Sequence, residues 1–94
     1  MYYLLRYDYV PDILTRREPH RSGHLSKLHE LHGRGVVTMA GAAGDPVDHA
    51  VIVFHAESRS VVEDFVRSDP YVLNGLVTNW RIDPWNVVVG GEPQ

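Results

Sequence analysis

The stretch HAVIVFHAE, residues 49 to 57, constrains the fold more than any other, because apolar side chains fill both of its alternating sets. Val51 and Val53 fall on one side of an extended chain, Ile52 and Phe54 on the other. A strand of this kind needs cover on both faces, or an apolar patch is left in water. The neighbouring segments are consistent with it. YYLLRYDY at 2–9 alternates, with Tyr3, Leu5, Tyr7 and Tyr9 on one side, and reads as a first strand ended by Pro11 and Asp12. VVTMAGAAG at 36–44 reads as a second strand running into a turn at GDP, and GLVTNWRIDPWNVVV holds the last strand.

Between the strands the period changes. Leu25, Leu28, Leu31 and His32 recur at helical spacing, with Gly33 and Gly35 placed to stop the helix and Ser22 as its expected N-cap; a turn or loop is expected at 15–18. SVVEDFVRS, capped by Ser58 or Ser60, carries Val61, Val62, Phe65 and Val66 on one face, and Pro70 breaks the helix at Asp69. The order is β-α-β-β-α-β. That order predicts an α+β, ferredoxin-like antiparallel sheet with two helices on one face. The simplest cover for the other face is a second copy of the same sheet, so a homodimer through the sheet face is expected, with the last strand, the tail or the AGAAGDP loop as the covers available within one chain.

Ninety-four residues at 44% hydrophobic suffice for one small core, so a single domain over 1–94 is expected, with GGEPQ at 90–94 as a frayed tail. A net charge of −3 without a basic block argues against nucleic acid as a partner. No apolar run is long enough to span a bilayer, and cysteine is lacking, which excludes thiolate catalysis and disulfides; a cytoplasmic protein is expected.

Six histidines are the chemically distinctive side chains. His20 and His24 are four apart and His29 and His32 three apart, but no HExxH pattern or third ligand is marked, so no metal and no cofactor are expected. Acid–base chemistry is the alternative. If Asp69, at the helix break, meets His24, the carboxylate orients the imidazole and a general acid/base results. Otherwise His24 is a helix residue bonded to a backbone carbonyl and Asp69 a capping residue. Arg21, three before His24, suits a carboxylate substrate. Tyr3, Tyr7, Trp80 and Trp85 are candidates for a cavity lining or for core and interface.

RSGHLSKLHELHGRG, TMAG, SDPYVLNGL and WRIDPW, in that order along nearly the whole chain, resemble the YciI-like (YCII-related) family, with its R-x-x-H-L-x-x-L pattern and D-P-Y/F signature. The resemblance implies a ferredoxin-like fold paired as a dimeric α+β barrel. It also implies a cleft holding the motif histidine and aspartate, here His24 and Asp69, with Arg21 as the motif arginine and Tyr71 at the aromatic position after the proline. The resemblance implies no one reaction; a few relatives are tied to dehalogenation or to lactone and muconate chemistry. The chain departs from the family in its short AAGDPVDH loop and in Gly23 directly before His24. The expected function is a small cofactor-free enzyme using a His24–Asp69 acid/base pair on a small organic acid or lactone, by elimination, isomerisation or lyase chemistry, with Arg21, Tyr71, Tyr7 and Trp80 binding substrate. The alternative is a dimer that holds a small ligand without turnover, and a cofactor-free monooxygenase is a third possibility.

Overall fold

The computed structural model describes residues 1–91; residues 92–94, the end of the expected frayed tail, lie outside the described residues. The chain forms β1 (Tyr2–Tyr9), α1 (Ile13–Arg16), α2 (Glu18–Gly33), β2 (Val37–Ala43), β3 (His49–His55), α3 (Arg59–Ser68), α4 (Pro70–Leu73) and β4 (Val77–Trp85). The sheet order is β2-β3-β1-β4, and every neighbouring pair is antiparallel. β1 and β2 therefore run the same way with β3 between them, and β3 and β4 run the same way with β1 between them. These are two interlocked split βαβ units, the ferredoxin-like arrangement.

The register sorts the side chains. Tyr3, Leu5 and Tyr7 oppose Phe54, Ile52 and Ala50, and this set faces the helices. It packs with Leu28 of α2 and with Val62, Phe65 and Val66 of α3, Phe54 and Phe65 meeting edge to face at 5.5 Å. The other set, Leu4 against Val53 and Arg6 against Val51, makes the open face. That face is apolar over β2 and β3. Over β1 and β4 it carries Arg6 and Arg81 directly opposite one another, each neutralised by the aspartate two residues on, Asp8 and Asp83. Val87 to Gly91 turn back at the Tyr2 end of the face, so the chain covers one end of it, while Met39 stays 66% exposed.

Two local expectations are corrected. α2 starts at Glu18, not near Ser22, which is an exposed residue inside the helix; Pro19 sits in the first turn, where its missing N–H has no helical partner to lose. The segment expected as a turn at 15–18 is α1 running through Arg17 directly into α2. The helix stop is where the glycines place it. Gly35 takes φ +77°, and the Gly35 and Val36 N–H groups donate to His32 and Leu31 carbonyls, closing α2 in a Schellman motif.

Candidate active site around His24 and Asp69

The site begins at the Asp69–Pro70 step. Proline disfavours helical geometry at the residue before it, and Asp69 accordingly is extended (ψ 123°), ending α3 and starting α4. Its side chain accepts the Tyr71 N–H at 3.1 Å as the N-cap of α4. The same carboxylate accepts the Tyr7 hydroxyl at 2.7 Å on Oδ2 and lies 2.7 Å from His24 Nδ1 on Oδ1. Asp69 is fully buried and His24 is 5% exposed. The capping role and the histidine contact are thus one structure, and the backbone-carbonyl partner considered for His24 is replaced by Asp69. A carboxylate already accepting two other hydrogens favours a hydrogen on Nδ1, and in the neutral imidazole that tautomer leaves the lone pair on Nε2.

Stacking fixes the ring plane. The Tyr71 ring lies 3.8 Å from the imidazole and nearly parallel to it, at 7°. Gly23 makes the approach possible: a Cβ there would stand 3.3 Å from Pro70 Cγ, tighter than packed carbons usually sit. Gly23 is therefore the residue that lets α2 close on the Asp69–Pro70 corner.

His24 lines a cavity of about 200 Å³ between α2 and the β2–β3 edge, with Tyr71, Tyr9, Arg17 and Arg21 around it and Leu28, Ala50 and Ile52 as an apolar floor. Among the described residues no carboxylate lines it. Burial raises the pKa of Tyr9 and Tyr71, and the Arg17 and Arg21 guanidiniums pull against that rise at both phenols. Burial, then the charge of Asp69 and the hydrogen bond to it, holds Tyr7 far above the ordinary tyrosine value. A larger, shallower groove between α2 and α3, about 310 Å³, contains Lys27, Asp64 and Ser68 but none of these groups.

Of the residues expected to act, the structure brings together His24, Asp69, Arg21 and Tyr71. Tyr7 lies behind the pair, buried against Asp69, and does not line the cavity. Trp80 pairs with Tyr7 across β1 and β4, is 39% exposed on an edge strand and does not line this cavity. Arg17 and Tyr9 were not singled out by sequence. The available signal was spacing: Arg17, Arg21, His24 and Leu28 form one helical stripe at steps of four, three and four. Among the described residues no three potential metal ligands converge, and neither histidine pair joins such a cluster.

The model of the YCII-related domain matches residues 1–86. The chain belongs to the YCII-related family. Among solved structures it is similar to 5-chloro-2-hydroxyhydroquinone dehydrochlorinase (TftG) from Burkholderia phenoliruptrix AC1100, in complex with 2,5-dihydroxybenzoquinone, with a TM-score of 0.78 and 23% identity over 92% of this chain and 94% of that one. At that identity the likeness shows the fold, which agrees with the ferredoxin-like topology described above. No curated protein matches the chain. Among the described residues no helix is long and apolar enough to cross a membrane.

Proposed function

We propose that this YCII-related protein is a cofactor-free acid–base enzyme acting on a small organic acid or lactone-type molecule by elimination or isomerisation. The observation that carries the reading is the buried Asp69 carboxylate, held by Tyr7 and the Tyr71 N–H and set against His24 Nδ1 beside a cavity with arginines but no acid. His24 Nε2 takes a proton from a carbon next to a carbonyl. The C–H electron pair becomes an enolate, whose oxygen Arg21 neutralises. The enolate then expels a leaving group, halide or ring carboxylate, or is reprotonated elsewhere by the imidazolium. Asp69 stabilises the imidazolium between the two transfers. The similarity in fold to a protein named as a dehydrochlorinase supports this class of reaction. A second copy seated on the open face belongs to the same reading.

The test is chloride release from 5-chloro-2-hydroxyhydroquinone and opening of small unsaturated lactones, followed with wild type, His24→Ala and Asp69→Asn. The expected result is a loss of roughly 10²–10⁴-fold in kcat for His24→Ala. Asp69→Asn also lowers kcat, because an amide has one acceptor oxygen where Tyr7 and His24 each require one. Unchanged turnover in both variants ends the proposal, and saturable binding without product replaces it with the ligand-holding alternative.

A further inference from the structure

Arginines in this chain divide sharply. Arg6, Arg16, Arg34, Arg59, Arg67 and Arg81 each have a carboxylate oxygen within 4.0 Å. Arg17 and Arg21 have no ion pair among the described residues, and these two line the His24 cavity. Arg17 goes further: its Nε is buried with no hydrogen-bond partner among the described residues. A buried donor left unsatisfied is costly, and a guanidinium more so than a neutral group. The rest of the Arg17 side chain borders the cavity, so an anion bound there meets a guanidinium that has no ion pair among the described residues. The two arginines are one turn apart on the same helix stripe, about 6 Å along the axis, and both guanidiniums act on the Tyr9 and Tyr71 phenols, so two positive charges border one cavity and each can take its own anionic oxygen.

We infer that Arg17 is a substrate-binding residue that, with Arg21, selects a small substrate carrying two negatively charged oxygens, one for each guanidinium, laid across the His24 imidazole. This rests on the reading of His24 as the base and specifies the substrate class for that site. Arg21, three residues from His24, takes the oxygen on which enolate charge develops. Arg17, a turn further out, takes the second oxygen and sets the distance between that anion and the reacting carbon. Tyr9, beside Arg17 in the cavity, limits how far the second anion reaches. Neutral or singly charged molecules of the same size leave Arg17 unsatisfied and bind more weakly.

The experiment measures binding of 2,5-dihydroxybenzoquinone, a dianion at neutral pH, and of 2-hydroxy-1,4-benzoquinone, a monoanion, by isothermal titration calorimetry. The proteins are wild type, Arg17→Met and Arg17→Lys, and the thermal midpoint of each is recorded without ligand. Wild type is expected to bind the dianion roughly tenfold or more tighter than the monoanion. Arg17→Met raises the dianion Kd by about the same factor and leaves the monoanion within about twofold, while Arg17→Lys recovers part of the loss. The free Arg17→Met protein melts no lower than wild type, because the partnerless buried donor is gone. A fall in the melting midpoint together with equal weakening of both ligands makes Arg17 structural and overturns the inference, as does a wild type that fails to bind the dianion. Turnover of His24→Ala reports on the base separately: if turnover persists while Arg17 still selects the dianion, the catalytic reading fails and the two-anion site stands.

Discussion

Asp69 concentrates three functions in one side chain: it ends α3 by its backbone, caps α4, and holds His24. Tyr7 is the residue that makes this possible, since its hydroxyl occupies the second carboxylate oxygen. Tyr7→Phe should cost about 1.5–3 kcal/mol in urea denaturation at neutral pH, as expected for a buried hydrogen bond to a charged group. The pH dependence has a definite sign. Burial and Asp69 raise the Tyr7 pKa in the folded protein, so above about pH 10 the unfolded chain loses the phenolic proton first and stability falls as pH rises. Below that pH the contribution is fully present. Denaturation between pH 8 and 11.5 should show a shallower alkaline decline in Tyr7→Phe than in wild type. Gly23→Ala works at the same corner. Removing a mid-helix glycine favours α2 by about 1 kcal/mol, but the new methyl presses on Pro70. Stability should therefore change by less than about 1 kcal/mol while the His24 imidazole resonances move and turnover drops, a split that NMR and kinetics on one sample detect.

Among the elements, the α3–α4 corner is the one on which the site depends. α3 presents Val62, Phe65 and Val66 to the sheet, an amphipathic pattern legible from spacing alone, and Pro70 stops it where the local rule requires. Pro70→Ala frees Asp69 to become helical, which would turn its carboxylate away from the cap. The substitution should cost about 0.5–1 kcal/mol through the unfolded chain. Hydrogen exchange at Tyr71 N–H should quicken, and unchanged exchange there would mean that the carboxylate holds the corner without the proline. The start of α2 was not legible. Ser22 has the composition of an N-cap and Pro19 that of a breaker, but a proline in the first turn costs nothing, and α1 delivers the chain into α2 already helical.

For the whole molecule, the open face is what remains unbalanced. Leu4, Val51 and Val53 make it apolar, and the turned-back residues 87–91 reach only its Tyr2 end. With a second copy on that face, sedimentation at micromolar concentration should show a species of twice the 10.7 kDa chain mass. Met39→Glu should shift it to the single-chain mass with little loss of folding stability, because Met39 is already exposed in one chain. A single-chain mass for the wild type would remove the dimer.

Much of this was written in the sequence because its physics is local. The alternation of β1, the two-sided apolar character of β3, the Gly35 stop of α2 and the break at Pro70 each depend on residues within a few positions of one another. The family motifs extended that reach to His24 and Asp69. What the tertiary structure decided is what depends on pairs far apart in the chain: Asp69 on His24 across 45 positions and on Tyr7 across 62. It placed Trp80 outside the cavity and Arg17 within it, although by composition the tryptophan was the better candidate for a lining. Periodicity assigns a side chain to a face of its own element, whereas only the packing of α2 against the sheet edge determines which of those faces enclose a space and which charges within it lack a partner.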